Sequence, residues 1–519
     1  MPLGRLFFCP ASALLAALLA TVTLPGYAGT PLQSGDIILN GFTAPLGQHG
    51  WAAAGVESIN AVVANDGSAS FEVLPTDATR NNKISFALPA SVLRGTTIYA
   101  SARIRAENVS SRVNPWNGPK LMFQIASGSN ADTAYPQAPI PDGSYDWREV
   151  GVLTSIPANV ASVGFVIGLE NVTGKLTVAD LKITVIEGAL PEAPSAPAAG
   201  PAFKGHSAPA LRGAMVPRSI TPESLRVLGE EWGANLIRWQ LGGTDYKDTG
   251  LETPDYDAVL DAELARFDTI LPYCEKYGLR VVLDLHSLSK NLFASVANQD
   301  RLVSTWQRLA TRYKGRGIIW AYDIVNEPIQ AGWKPGALTW NDLATRVARA
   351  IRKIDADKPL IIEAELYAVP EGFETLRPVP VRNVIYSVHM YNPGHFTHNR
   401  VWNPKQTVWT YPGTIEGQHW DKAGLERALA PVIAFQKRHN VHIYVGEFGA
   451  IRWSPGARDY LSDLIDIFEA NQWDWSIHAF REWQGWSPEY SNDINDTKPS
   501  PVPTDRELLL RGWFARNQK

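Results

Sequence analysis

The sequence predicts an α/β protein in which a (β/α)8 TIM barrel is preceded by an all-β sandwich. Its 519 residues exceed one ordinary domain and allow a barrel of about 250 residues or more beside a second unit. Along the chain, short β-type runs give way to strands that alternate with amphipathic helices. Residues 189–203, rich in Pro and Ala, separate the two patterns and are typical of a semi-rigid linker.

The first domain is predicted over residues 35–188. It contains short runs of β-forming residues, such as 97–100 and 162–167, separated by turn residues, and helical periodicity is nearly absent. This spacing is typical of a sandwich of two antiparallel sheets.

The barrel is predicted over residues 204–519. Eight strand and helix units fit this stretch, whereas a doubly wound open sheet is the alternative architecture. The predicted strands are residues 211–216, 234–241, 280–286, 318–325, 359–365, 384–391, 442–448 and 475–483.

Residues 1–28 have the pattern of an export signal. Arg5 precedes a short apolar run, and small residues before and at Ala28 offer a cleavage site. The run is shorter than the roughly 20 residues that cross a bilayer, so no membrane association is predicted. Cys274 then remains as the single cysteine, which excludes an internal disulfide. We expect a secreted or periplasmic protein.

The charge pattern limits the possible partners. The net charge is −4 and both signs are interspersed, so no basic surface for nucleic acid is predicted. The histidines stand on separate strands without the short spacing of metal ligands, and no metal or organic cofactor is predicted, although a structural calcium in the sandwich stays open. We expect a monomer that binds a neutral or weakly charged substrate.

Polar residues follow the apolar runs of the predicted barrel strands, where catalytic groups of such barrels lie. Cleavage of a glycosidic bond requires one carboxylic acid that protonates the departing oxygen and a second carboxylate. Glu327 and Glu447, on strands four and seven, are the natural pair. The other polar or aromatic candidates at strand ends are Arg238, His286, Asn326, His389, Tyr391 and Trp483.

Each candidate also has a purely structural interpretation. Asn326-Glu327-Pro328 could begin a helix, with Asn as the cap and Pro in the first turn. Glu447 could be a loop carboxylate in a salt bridge, and the histidines could be satisfied core residues. Their joint placement at strand ends favours the catalytic interpretation.

The combined motifs resemble glycoside hydrolase family 5, the cellulase family of retaining β-glycanases, over most of residues 205–519. The motifs are Asp284-Leu285-His286, Asn326-Glu327-Pro328, His389-Met390-Tyr391, Gly446-Glu447-Phe448-Gly449, Arg238 and Trp483. The resemblance implies that Glu327 is the acid/base and Glu447 the nucleophile. It also implies that Arg238 and Tyr391 contact the nucleophile, Asn326 binds the 2-hydroxyl of the cleaved sugar, His286 and His389 line that subsite, and Trp483 forms its aromatic floor.

Aromatic residues elsewhere suggest further sugar contacts. The sandwich resembles jelly-roll carbohydrate-binding modules, and a structural spacer is the alternative. Its candidate groove residues, for each of which core packing is an equal alternative, are Trp51, Trp116, Tyr135, Tyr145 and Trp147. Candidates for outer subsites of the barrel are Trp333, Trp340, Trp402, Trp409, Tyr411 and Trp420, and Glu363 and Glu365 are polar candidates of unassigned role.

The leading hypothesis is therefore an endo-β-1,4-glucanase that cleaves β-linked polysaccharide by a retaining mechanism. β-Mannanase, xyloglucanase, exo-β-1,3-glucanase and transglycosylase activities stay open, because loops outside the shared subsite determine sugar and linkage. From a different class, a non-catalytic glycan-binding protein is the second hypothesis.

Overall fold

A computed structural model describes residues 31–42, 51–54, 61–75, 81–127, 133–189, 206–242, 251, 254–286, 291–401 and 403–517. The predicted signal peptide, all but the first residue of the predicted linker, and Trp402 lie outside the described residues. The described residues divide into two compact units, one formed by those up to residue 189 together with 331–335 and the other by the rest.

The first unit is a sandwich of antiparallel sheets, as predicted. One sheet has the order β3-β4-β11-β6-β9, with β1 paired to β11, and the other has the order β2-β5-β10-β7-β8. The elements are β1 (Ile37–Asn40), β2 (Trp51–Ala53), β3 (Val62–Val63), β4 (Ala69–Val73), β5 (Asn82–Leu88), α1 (Ala90–Leu93), β6 (Thr97–Val109), β7 (Gly118–Ser127), β8 (Thr133–Ala134), β9 (Gly143–Ser155), β10 (Val160–Glu170) and β11 (Gly174–Glu187).

Alternation along the strands explains this sandwich. In β6, Ile98 and Ile104 point into the core, whereas Arg103 and Arg105 point outward. Successive side chains of a strand face opposite sides, so one face of the sheet becomes apolar and the other polar. Trp51, a candidate groove residue, is instead a core residue, because its ring is buried against neighbouring aromatic rings.

The second unit is a closed barrel of eight parallel strands in chain order, which confirms the (β/α)8 prediction. The barrel strands are β12 (Arg212–Val216), β13 (Leu236–Leu241), β14 (Arg280–Leu285), β15 (Ile319–Asp323), β16 (Leu360–Glu363), β17 (Val384–Met390), β20 (His442–Phe448) and β21 (Asp474–Ile477). A hairpin of β18 (Gly413–Ile415) and β19 (Gln418–Trp420) lies between β17 and β20.

Amphipathic helices connect the barrel strands. In α5, Leu343, Val347 and Ile351 are all buried, which is the spacing of one helix face. The helices are α2 (Pro222–Arg226), α3 (Tyr256–Tyr277), α4 (Val296–Tyr313), α5 (Trp340–Arg352), α6 (Gly394–Thr397), α7 (Lys422–Ala428), α8 (Ala430–His439), α9 (Ala457–Ala470) and α10 (Asp505–Phe514), with a π-helical turn at Val227–Glu231 and a 3-10 turn at Pro370–Glu374.

The barrel closes through close backbone contact and a buried polar cluster at the amino ends of its strands. A side chain at Gly213 would lie 1.8 Å from the Leu236 carbonyl oxygen, so β12 and β13 approach closely only because of this glycine. Asp474 accepts hydrogen bonds from the Leu211 backbone and His442 at 2.7 Å each. These bonds join β21 to the starts of β12 and β20.

Three strand ends were predicted two or more residues too late. The fourth strand ends at Asp323, the fifth at Glu363, and the eighth at Ile477, six residues before the expected Trp483. The sequence stays apolar after Ile477 because Ala479 and Phe480 are buried in the following loop, so the apolar pattern does not mark the strand end.

Cys274 is a buried residue of α3, and burial raises the pKa of its thiol, which agrees with the predicted core role.

Within the described part of the chain, no helix combines the length and apolar character needed to cross a membrane.

Candidate active site

Arg238 is the centre of the polar cluster in the barrel. It lies on β13 and is fully buried. Its Nη1 donates to Glu447 Oε1 at 2.7 Å, and its Nη2 lies 2.8 Å from Glu363 Oε1, 3.0 Å from Asp323 and 3.1 Å from Asp284. One guanidinium thus contacts four carboxyl groups on four other strands or strand ends.

One positive charge cannot balance four ionised carboxylates in a buried site. The pKa of Asp323 is raised well above its usual range by burial and by the negative charge of Glu363. Burial also acts against ionised Glu363, but the nearby positive charges of His389 and Arg238 lower the pKa of Glu363 below its ordinary value. We expect a protonated Asp323 beside an ionised Glu363.

Glu447, the penultimate residue of β20, is held at both carboxylate oxygens. Arg238 donates to Oε1, and the Tyr391 hydroxyl donates to Oε2 at 2.9 Å. Burial opposes its ionisation, but His389, His478 and Arg238 lower the pKa of Glu447 below its usual range. Glu447 is therefore an ionised carboxylate with a fixed orientation.

Glu327 lies just beyond β15 and has a left-handed backbone with a φ of 48°. Its backbone N–H donates to Glu363 Oε2 at 2.5 Å, and its Oε1 lies 3.0 Å from His389 Nδ1. Burial raises the pKa of Glu327, and the negative charge of Glu447 contributes to this increase. Oxygens of the two glutamates and a nitrogen of His389 lie within 4.8 Å of one another.

The remaining predicted residues, except Trp483, belong to the same cluster. His389 Nε2 lies 3.1 Å from Glu363 Oε1, so His389 connects Glu363 to Glu327. His286 Nδ1 lies 2.7 Å from Asp284 Oδ2, and the side-chain oxygen Oδ1 of Asn326 accepts a hydrogen bond from Arg238 at 3.0 Å.

Trp483 does not occupy the end of the eighth strand. It lies in the following loop with 42% of its surface exposed, and its ring contacts that of Trp453 edge-on at 5.9 Å. The residue directly after β21 is His478, whose Nδ1 lies 3.8 Å from Glu447 Oε2. The prediction misplaced the aromatic residue because the strand is shorter than the apolar run.

Sequence reasoning missed several polar residues of the cluster. Asp284 stands two residues before His286, so strand alternation could have placed both on the inner face. Gln240 stands two residues after Arg238 on β13, so the same alternation could have placed it on the inner face, whereas Asp323, His478 and Glu482 had no comparable signal. Glu363 was a candidate without an assigned role, and the structure shows that its carboxylate contacts Arg238, the Glu327 backbone and His389.

Most aromatic candidates for outer subsites are packed into the protein. Trp340 is buried and donates from its indole nitrogen to the Glu363 backbone oxygen at 2.8 Å. Tyr411 is buried with its hydroxyl on Asp463 at 2.6 Å. Trp333 and Trp420 are buried too, and Trp409 is partly exposed.

Three groups of ligand-type side chains occur among the described residues. They are Glu327 with His389 and Glu447, Asp284 with Asp323 and Glu363, and His206 with His442 and Asp474. Arg238 already provides the positive charge for the second group, and hydrogen bonds of 2.7 Å from both histidines satisfy Asp474 in the third. The absence of a metal cofactor stays a prediction.

A closed (β/α)8 barrel with paired carboxylates at the carboxyl ends of its strands has the architecture of a glycoside hydrolase that acts on O-glycosyl bonds. Residues 196–483, more than half of the chain, match the cellulase model, glycosyl hydrolase family 5, and the chain belongs to that family. The predicted family and enzyme class are confirmed, and the non-catalytic alternative is set aside.

Relatives in this family have modest identity. Endoglucanase C from Acetivibrio thermocellus is 29% identical over 221 residues, which cover 36% of this chain and 63% of the relative. Cellodextrinase A from Ruminococcus flavefaciens is 23% identical over 53% of this chain and 83% of its own. The solved structure of endoglucanase Cel5A from Thermotoga maritima has 22% identity and a TM-score of 0.48, over 58% of this chain and 96% of that one. The match spans less than two thirds of endoglucanase C.

Proposed function

We propose that the chain is a secreted, retaining endo-β-1,4-glucanase, with Glu447 as nucleophile, Glu327 as acid/base and residues 204–519 as the catalytic domain. The observation that carries this proposal is the spacing of the two glutamates, whose pKa values shift in opposite directions. Their oxygens lie within 4.8 Å, close to the roughly 5–5.5 Å between carboxyl groups of retaining enzymes and below the roughly 6.5–9.5 Å of inverting ones.

The first chemical step uses both ionisation states. Glu327, whose pKa is raised by burial, holds the proton that passes to the departing glycosidic oxygen. Glu447 attacks the anomeric carbon and forms a glycosyl ester, while the bond to the leaving oxygen breaks. The ester removes the negative charge beside Glu327, so the pKa of Glu327 falls and its carboxylate stays ionised after the first step. In the second step Glu327 accepts a proton from a water molecule, whose oxygen bonds to the anomeric carbon while the ester bond breaks and releases Glu447 as a carboxylate.

The surrounding residues provide sugar contacts in this proposal. Arg238 donates a hydrogen bond to the side-chain oxygen of Asn326. The NH2 group of the same side chain therefore points away from Arg238 and can bind the 2-hydroxyl of the cleaved sugar. His286 and His389 line the same subsite. Trp483, with its exposed ring, offers a surface on which a pyranose can stack.

The substrate proposal rests on the endoglucanases among the relatives. A product profile on soluble cellulose, mixed-linkage β-glucan, mannan, xyloglucan and β-1,3-glucan tests it. We expect a rapid fall in the viscosity of soluble cellulose, a mixture of oligosaccharides at early times and β-anomeric products. Faster cleavage of mannan or xyloglucan, release of glucose alone from β-1,3-glucan, or transfer products would assign one of the alternative activities.

The sandwich, residues 35–188, is proposed as a glycan-binding domain through the outward face of β6 and β9. On that face the Trp147 ring has the guanidinium groups of Arg103 and Arg105 at 5.1 and 5.5 Å from its centre. The guanidinium groups fix the ring position, and their N–H groups can bind sugar hydroxyls. Tyr145, in contrast, has a buried hydroxyl and packs against the core.

Replacing Trp147 tests this binding face. In the full chain carrying Glu447→Gln, Trp147→Ala should weaken retention on insoluble cellulose about 2-fold to 10-fold, because stacking on one ring is lost. Tyr273→Ala removes an exposed aromatic ring from barrel helix α3 and should leave retention unchanged. Equal retention of all three proteins would assign the sandwich to a spacer role.

A further inference from the structure

His478 lies where the aromatic floor was expected, directly after the last residue of β21. Its ring stacks on that of Trp486, with centres 5.1 Å apart and an angle of 26°. The stack fixes the plane of the imidazole, so its two nitrogens point in set directions.

Both nitrogens of His478 face polar partners. Nδ1 lies 2.5 Å from the Tyr391 hydroxyl, and Nε2 lies 3.3 Å from Glu482 Oε2. Gln240 donates its amide to the same Glu482 oxygen at 3.0 Å and thereby orients that carboxylate. Because Tyr391 contacts Glu447 Oε2 at 2.9 Å, four side chains form a continuous chain from Glu482 to Glu447.

The number of available protons fixes which atom donates in each of these hydrogen bonds. A tyrosine hydroxyl has one proton, and ionised Glu447 can only accept, so the Tyr391 proton points to Glu447. The contact with Tyr391 therefore requires a proton on Nδ1 of His478. The contact with Glu482 requires a proton on Nε2, because an ionised carboxylate offers none.

The electrostatic surroundings agree with this assignment. Burial lowers the pKa of His478, but the carboxylates of Glu482 and Glu447 raise it above its ordinary value. Burial and the charge of Glu447 raise the pKa of Tyr391, so its hydroxyl stays a donor. The pKa of Glu482 is lowered by His478 against the effect of burial.

We propose that His478, held by Glu482, is a positioning residue that orients the Tyr391 hydroxyl toward the nucleophile Glu447. Arg238 fixes Oε1 of Glu447, and the chain through Tyr391 fixes Oε2, so the carboxylate cannot rotate away from the anomeric carbon. The inference rests on the proposed role of Glu447 and assigns a function to residues outside the predicted site.

Variants of His478 separate hydrogen bonding from packing. His478→Phe keeps a ring on Trp486 but removes both N–H groups. We expect kcat/KM and the rate at which a 2-fluoro glycoside labels Glu447 to fall about 10-fold to 100-fold, because hydrogen bonds to charged groups are lost. His478→Asn should recover part of the loss, since its amide can donate from the position of Nδ1.

A double-mutant cycle with Tyr391→Phe tests the route of the effect. In that background His478→Phe should change the labelling rate less than about 2-fold, because the hydroxyl that it orients is absent. His439→Gln, at the end of α8 and three residues before the amino end of β20, is the matched control and should label at the wild-type rate.

Two results would overturn the inference. One is an unchanged labelling rate in His478→Phe, and the other is the same loss with and without the Tyr391 hydroxyl. Labelling of a residue other than Glu447 in the wild-type chain would instead contradict the proposed function, so the two failures are distinguishable.

Discussion

Glu447→Gly should lose activity on an aryl β-cellobioside by about 10⁴-fold or more, because the nucleophile is absent. Added azide should restore part of the activity by entering the space of the missing carboxylate. It would attack from the nucleophile's face, so the product should be an α-glycosyl azide. The rate and the anomeric configuration of the azide product, measured by proton NMR, test the role of Glu447.

Glu327→Gly is the complementary variant. An activated aryl leaving group does not need an acid, so the glycosyl enzyme should still form, and azide should intercept it from the opposite face to give a β-glycosyl azide. Glycine is suited to this position because Glu327 has a φ of 48°. Glu416→Gly, also at positive φ (49°) in the turn between β18 and β19, is the control and should stay fully active.

The two products assign the roles independently of overall activity loss. An α-azide from Glu327→Gly together with a β-azide from Glu447→Gly would reverse the proposed roles. Azide products from neither variant, in folded proteins, would count against a double-displacement mechanism.

The predicted site residues that lie at strand ends share one property that allowed their identification from the sequence. Glu327, His389 and Glu447 each follow an apolar run that crosses the barrel core, so their position at a strand end follows from local pattern alone. The same reasoning failed for Trp483, because Ala479 and Phe480 are buried outside a strand and extend the apolar pattern.

Roles that depend on contacts between distant strands gave no local signal, and Glu363 was a candidate without an assigned role for this reason. Glu363 lies 125 residues after Arg238 in the sequence, and its position at 2.8 Å from the guanidinium follows only from barrel closure. The pairing of His478 with Tyr391 spans 87 residues and depends on a loop conformation. Fold and strand-end residues were therefore predictable, whereas the network that fixes their ionisation was not.

Arg238→Met should reduce the free energy of unfolding by about 3–5 kcal/mol near pH 7, because removal of one partner leaves buried carboxylates without compensation. Methionine keeps most of the side-chain volume, so the effect reports charge more than packing. Arg346→Met is the matched control, since its ion pair with Asp300 is exposed and such pairs contribute about 0–1 kcal/mol.

The pH dependence of this loss identifies its cause. In the folded wild-type chain the pKa values of Glu363 and Glu447 are lowered. Ionisation of these two residues therefore contributes to the free energy of unfolding above the carboxyl pKa of the unfolded chain. This contribution is lost only as pH falls through the lowered folded values. Without Arg238, the positive charges of His389 and His478 still oppose the effect of burial, but the folded pKa values of Glu363 and Glu447 rise from their wild-type positions. As pH falls, the variant should then lose this stabilisation at a higher pH than the wild type, because the loss follows the folded pKa. Denaturant unfolding at about pH 3 and about pH 7 should show a stability difference between wild type and variant that widens with pH. A difference that is independent of pH would attribute the loss to packing and would remove the electrostatic argument for Arg238.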